Sequence, residues 1–244
     1  MDRVLGRREI LKGSLVAGAG LVATGLAVPG RAQMLDGSSP FSAAFPPSSP
    51  LAGVTPDATP VIQPIRPPSP VGTPEYTRRI LASAKAQSQR LGTKLWRTDV
   101  VGIADFSRPS WEPRLHFANL EAGTVRSFLL AHGKGSDLEH TGWLQTFSDQ
   151  YGSLATSRGA YLTCEWYTGK YGTSIRLVGL DRDNASALQR SIVMHSAWYV
   201  DAAMISKWGK LGRSDGCFAM SPTDFNEALW HLSGGRLLFA DRIT

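Results

Sequence analysis

Only two cysteines, Cys164 and Cys217, occur in 244 residues, which excludes a disulfide-dense scaffold, since such domains carry several bridges. Two cysteines and scattered histidines also lack the tight ligand spacing of a zinc site, so no metal is implied. No apolar run is long enough to cross a bilayer. The weakly hydrophobic stretch from Gly13 to Val28 is Gly-rich and falls short of the ~20 apolar residues that a hydrocarbon core requires. Nor is there a basic stripe. The formal charge is +6, but residues 1–32 hold five basic and two acidic side chains, and without them 21 basic residues face 18 acidic ones, or +3. That is an ordinary solubility charge and argues against nucleic acid as a partner. Periodicity and charge are both scarce from Met34 to Val71, where Pro, Ser, Ala and Gly predominate. A segment that buries so little apolar surface cannot offset its chain entropy, so residues 33–72 read as a disordered linker.

The N-terminus has its own pattern. Arg7-Arg8-Glu9-Ile10-Leu11-Lys12 precedes the Gly/Ala/Leu/Val run, Pro29-Gly30 ends it, and small residues at Gly30 and Ala32 suit cleavage before Gln33. Residues 1–32 resemble a twin-arginine (Tat) export signal, although Gly6 stands where Ser or Thr is usual. Export to the periplasm or cell envelope is the expectation, with membrane contact only in transit. Order is expected from Thr73-Pro74-Glu75: threonine caps a helix, proline fits its first turn and glutamate complements its dipole. Tyr76, Ile80, Leu81, Ala84 and Leu91 recur at helical spacing and Gly92 supplies the stop, which gives an N-terminal helical segment over 73–95.

From 96 to 244 the pattern is of short strands punctuated by turns, in a single domain of about 145 residues. Strands are read at 100–106, 114–120, 124–131, 161–167, 174–177 and 191–195. Leu162, Cys164 and Trp166 are placed on one apolar face. Helices are read at 184–190 and 222–232. The class is mainly β, a sandwich or barrel.

The chemistry concentrates at Arg213-Ser214-Asp215-Gly216-Cys217, with Ile192-Val193-Met194-His195-Ser196-Ala197 ending a strand 22 residues before the cysteine. This pair of segments resembles the L,D-transpeptidase catalytic domain, the YkuD-like fold, in its murein L,D-transpeptidase branch. Further blocks fall in that branch's order: Asp105-Phe106-Ser107, Ala131-His132-Gly133-Lys134-Gly135-Ser136, Gly169-Lys170-Tyr171-Gly172 and Arg176-Leu177. The resemblance covers about residues 97–240 and implies a YkuD-like β-sandwich with peripheral helices. It implies Cys217 as nucleophile, His195 as base and the Ser196 carbonyl as the group orienting the imidazole. Backbone N–H groups of Asp215, Gly216 and Cys217 would form an oxyanion hole. No cofactor is implied.

Those residue types suit the chemistry. A free thiol near neutral pH is only a few per cent thiolate, and an adjacent imidazole converts it to the attacking form. The bland alternative for Cys217 is a disulfide with Cys164, closing a loop of 53 residues. Cys164 itself reads as core and His132 as a structural or rim residue. Tyr161, Tyr167 and Tyr171 are either cross-strand packing or, as in similar enzymes, the lining of an acyl-donor channel. Lys170, Arg213 and Ser214 are further substrate-binding candidates, with Lys170 and Arg213 as partners for a carboxylate. Two departures from the branch stand out: Asp215 occupies a position usually held by Trp, and Phe218 one usually held by Pro. An anion there should oppose thiolate formation unless Arg213 neutralises it.

The resemblance implies acyl transfer from a peptidoglycan tetrapeptide stem, with release of D-Ala, to a stem amine (a 3→3 cross-link) or to a lipoprotein's lysine. Water as acceptor would instead make an L,D-carboxypeptidase or cross-link hydrolase, and a non-catalytic peptidoglycan-binding module is a third reading.

Overall fold

The computed structural model describes residues 71–243. The export signal and nearly all of the linker lie outside the described residues. The first described element is α1 (Pro74–Leu91), which starts where its cap dictates: Tyr76 N–H donates to Thr73 Oγ1 at 3.3 Å, and Gly92 ends it at φ 51°. The helix buries Tyr76, Ile80, Ala84, Ser88 and Leu91. This stripe meets Val101, Ile103, Ala118, Ala160, Leu237 and Phe239 on one face of the sheet. Burying side chains of this size is worth about 1.5–3 kcal/mol each for the larger ones.

Eight strands form one mixed sheet: β1 (Val100–Asp105), β2 (Leu115–Asn119), β3 (Thr124–Phe128), β4 (Gly159–Gly169), β5 (Gly172–Gly179), β6 (Val193–Ser196), β7 (Phe218–Met220) and β8 (Leu237–Asp241). Their order is β3-β2-β1-β8-β4-β5-β6-β7. All pairs are antiparallel except β1 with β8 and β6 with β7. The sheet curls until its ends nearly meet. Ala131, just beyond β3, bridges Ala219 of β7, with Ala131 N–H donating to Ala219 O at 2.9 Å. The result is a barrel-like sandwich whose interior holds Phe106, Leu115, Tyr161, Ile175, Leu177, Met194, Phe218 and Leu238. Two short helices, α2 (Ala202–Trp208) and α3 (Phe225–His231), lie at the periphery.

Several expectations are corrected. The helix read at 184–190 is a 3-10 turn at Arg182–Asn184 followed by further turns, because Asp181 and Asn184 cap each other and Arg190 folds back into the protein. The helix read at 222–232 is shorter, Phe225–His231. The face assigned to β4 also changes. Tyr161 and Thr163 are fully buried, and a register shift between Thr163 and Trp166 leaves Trp166 62% exposed while Cys164 remains buried.

Candidate active site

The strands β6 and β7 run in parallel, with Met194 beside Phe218 and His195 beside Ala219. Met194 and Phe218 point into the interior. Alternation then sends His195, and Cys217 one residue before Phe218, to the opposite face. The same row continues across the sheet, because Ser174 of β5 pairs with both His195 and Tyr167.

Cys217 is presented by a turn fixed from three sides. Ser214 Oγ donates to Cys217 O at 2.6 Å and accepts from Gly216 N–H at 3.2 Å. Gly216 has φ 113°, and a Cβ there would lie 2.9 Å from both Ala155 O and Ile192 Cδ1, so only glycine fits. Against the turn lies the Ala131–Ser136 segment: Ser214 N–H donates to His132 O at 2.9 Å and Lys134 N–H to Ser214 O at 2.8 Å. Thr156 Oγ1 closes the third side, accepting from Gly133 N–H at 2.9 Å and donating to Gly216 O at 3.3 Å.

Both cysteines are free thiols. Cys217 is 5% exposed; its Sγ lies 3.7 Å from Ser191 O and accepts from Val193 N–H. Ser191 itself is held left-handed, at φ 56°. Burial pushes the thiol's pKa up and Asp215 adds to the rise, while Val193 N–H and the Arg190 guanidinium oppose it. His195 is 3% exposed, with Nδ1 2.9 Å from Ser196 O. A carbonyl can only accept, so Nδ1 carries the proton and Nε2 keeps its lone pair. Burial holds the imidazole pKa below its ordinary value, partly offset by Ser196 O and by Asp215. Tyr171, at the tip of the β4–β5 hairpin, stacks on the imidazole with centroids 4.5 Å apart and planes at 18°. Lys170 Nζ lies 5.4 Å from the centre of the Tyr171 ring. Among the described residues no hydrogen bond joins Sγ to the imidazole, because the buried neutral thiol has turned to the Ser191 carbonyl.

Other candidates fall elsewhere. Tyr161 lines no channel: it is fully buried, donates its hydroxyl to Ser157 O at 2.8 Å and packs its ring on Phe218. Ser214 is a buried staple rather than a substrate contact. Arg213 does not neutralise Asp215, since its guanidinium donates to the carbonyls of Asp137 and Leu138. The partner of Asp215 is Lys134, with Nζ 3.0 Å from Oδ1. Tyr167 is half-buried under the Arg176 guanidinium. Gly216 N–H is engaged by Ser214, whereas those of Asp215 and Cys217 make no hydrogen bond among the described residues. His132 is structural: Nδ1 accepts from Arg114 at 2.6 Å, Nε2 faces Asp137 at 3.4 Å, and burial holds its pKa down to about 4.

Two groups near the thiol were missed. Tyr199 is half-buried, and its phenol pKa is raised by burial first and then by the charges of Cys217, Asp215 and Tyr171. Its signal was its place four residues after His195. Arg190 is buried under the turn, donating to Ser148 O, Ser157 Oγ and Ala155 O. Nothing local marked it, because all these partners lie more than 30 residues away.

Residues 73–240 match the family described as the L,D-transpeptidase catalytic domain. The chain belongs to that family. The match takes in α1 as well as the sheet. No curated protein matches the sequence. Among solved structures the chain is similar to an L,D-transpeptidase from Mycobacterium smegmatis, at 15% identity and TM-score 0.37, over 59% of this chain and 58% of that one. It is also similar to an L,D-transpeptidase from Mycobacterium tuberculosis H37Rv, at 14% identity and TM-score 0.38, over 59% and 57%. A third, LdtMt1 in complex with imipenem, is 15% identical with TM-score 0.36, over 59% of each chain. The chain thus matches less than two thirds of the length of these relatives.

Proposed function

We propose that this L,D-transpeptidase-family protein is an exported cysteine acyltransferase acting on peptidoglycan tetrapeptide stems. The observation that carries the reading is the tautomer of His195: Nδ1–H is fixed on Ser196 O, which leaves Nε2 a free acceptor on the sheet face that Cys217 shares. In this reading the Cys217 thiol leaves Ser191 O for that nitrogen when substrate binds, since catalytic hydrogen bonds often tighten only then.

In this mechanism Cys217 Sγ passes its proton to His195 and attacks the carbonyl between the third and fourth stem residues. The Asp215 and Cys217 N–H groups take the developing oxyanion, each such donor being worth roughly 3 kcal/mol. His195 protonates the departing D-Ala amine, leaving a thioester on Cys217. An acceptor amine, from a second stem or a lipoprotein lysine, then restores the thiol. The twin-arginine-like segment at 7–12 supports action in the periplasm or cell envelope, where such stems lie.

The test is incubation of the purified protein with a disaccharide tetrapeptide, with intact-protein and product mass spectra. A thioester on Cys217, free D-Ala, and loss of both in Cys217→Ala and His195→Ala are expected, and a carbapenem should add one covalent mass at Cys217. A protein that binds the muropeptide but releases no D-Ala would leave a binding module as the better reading.

A further inference from the structure

Asp215 is a poor choice for the first half of this reaction. Its charge disfavours the Cys217 thiolate, and it stands on the very turn that presents the sulfur. A carboxylate in that place calls for a compensating use, and the second half of the reaction offers one.

The turn on either side of Asp215 is immobilised through Ser214 and Gly216, so the carboxylate is held at a fixed offset from Sγ. Its side chain is 47% exposed and stands two residues before Cys217 in the chain, and His195, Tyr199 and Cys217 each feel its charge. To that carboxylate Lys134 delivers a primary ammonium, with Nζ 3.0 Å from Asp215 Oδ1 and a side chain itself 53% exposed. An ion pair this open to solvent is weakly held and exchanges readily for another cation. The lysine ammonium therefore has the chemistry of the group a stem or lysine acceptor brings: a primary amine on a flexible carbon chain, protonated in water at neutral pH because its pKa is about 10.4. Such an amine must be gathered as the cation, then lose a proton beside the thioester.

Resting on the acyl-transfer reading above, we propose that Asp215 is the acceptor-binding residue, taking the primary ammonium of the incoming amine in the place that Lys134 Nζ occupies in the resting protein, and so directing the acyl-enzyme to aminolysis over hydrolysis. The ammonium passes one proton to solvent as it leaves the carboxylate. The neutral nitrogen then attacks the thioester carbonyl, the new N–C bond forms as C–S breaks, and His195 Nε2 carries the second proton from nitrogen to the departing Sγ. The products are an amide and the free Cys217 thiol. An anionic or neutral acceptor gains nothing from this arrangement, which selects primary amines.

The experiment uses the mature protein and its Asp215→Asn and Lys134→Met variants, each acylated by a disaccharide tetrapeptide. Transfer to Nα-acetyl-lysine amide is compared with hydrolysis, the two products being counted per D-Ala released so that changes in acylation rate drop out. Asn is expected to raise the acceptor KM by about two- to fivefold, the range of an exposed ion pair, and shift products towards hydrolysis. Lys134→Met, by removing the competing ammonium, should lower the acceptor KM. An acyl-enzyme whose aminolysis-to-hydrolysis ratio and acceptor KM are unchanged in Asp215→Asn overturns this inference alone. Failure of the wild-type protein to form an acyl-enzyme, read from its intact mass, overturns the acyl-transfer reading and this inference together.

Discussion

Replacing Ser214 with Ala tests whether the turn that carries Cys217 is held by one hydroxyl. The side chain is buried, and its Oγ satisfies two backbone groups that are buried too, Cys217 O at 2.6 Å and Gly216 N–H at 3.2 Å. Stranding a buried polar group costs about 1–3 kcal/mol. The shorter bond should sit high in that range and the longer one low, which gives a loss of roughly 2–4 kcal/mol. For a domain of this size each kcal/mol lowers Tm by about 2–4 °C, so calorimetry should show a fall of roughly 5–15 °C. The chemical effect should be larger than the thermal one. The turn sets the position of Sγ, and a displacement of about 1 Å can cost on the order of 100-fold in rate, so D-Ala release should drop steeply at temperatures where the variant is still folded. A Tm within about 2 °C of wild type together with unchanged turnover would refute the reasoning. It would mean that the Ala131–Ser136 segment and Thr156 hold the turn without Ser214.

Three further outcomes follow from the geometry. Burial first and Asp215 second raise the Cys217 pKa, so its iodoacetamide labelling should keep accelerating beyond the ordinary thiol pKa of about 8.5, and Asp215→Asn should move the profile to lower pH; a plateau near neutrality would contradict this. Tyr76→Phe removes a hydroxyl that donates to Asp105 Oδ2 at 2.7 Å and meets His116 Nε2 at 2.8 Å, and it should lower stability by about 1–3 kcal/mol, read as a lower urea midpoint; an unchanged midpoint would show that the apolar stripe alone holds α1. Burial holds His116 and His132 neutral down to about pH 4 in the folded state, whereas the unfolded chain protonates them near 6.5. The unfolded state therefore binds more protons between those values, and stability should fall as pH drops from about 6.5 to 4, by on the order of 3 kcal/mol per histidine. A Tm that stays flat across that window would refute it.

The parts of the molecule legible in the sequence are those whose cause is local. Thr73, Pro74 and Gly92 fix α1 within a few residues of themselves, and β1 and β2 declare their ends with turn residues. The strands β7 and β8 went unread because every residue but Asp241 is buried, so Phe218–Met220 and Leu237–Asp241 show no alternation to distinguish them. The helix α2 has only seven residues and buries none of them fully, Ile205 being only partly covered by the core, so its apolar pattern is short. At the site, the cysteine turn and the strand-end histidine stood out through their resemblance to a family motif, in a place where glycine and polar residues interrupt apolar runs. What surrounds them did not. Arg213 is the nearer cation to Asp215 in sequence, yet Lys134, about 80 residues away, is the nearer in space. The facing of Trp166 and Tyr167 depends on a register shift after Thr163 that no spacing announces.

The position of β8 also bears on how the enzyme comes into being. It lies between β1 and β4 and pairs with both, so it is the strand that joins β3-β2-β1 to β4-β5-β6-β7 in the sheet order. On the ribosome the helix, seven strands, the histidine and the cysteine all emerge before the strand that unites them. Until Leu237–Asp241 is released, the strands on the side of α1 and those on the side of the thiol cannot be joined through β8. Nor is Ala131 of the first half then brought by the sheet to Ala219 of the second, so the wall behind Ser214 is missing. The turn that carries Cys217 thus lacks that wall until β8 joins the sheet, and a chain cut before Leu237 should be degraded by proteases faster than the intact protein.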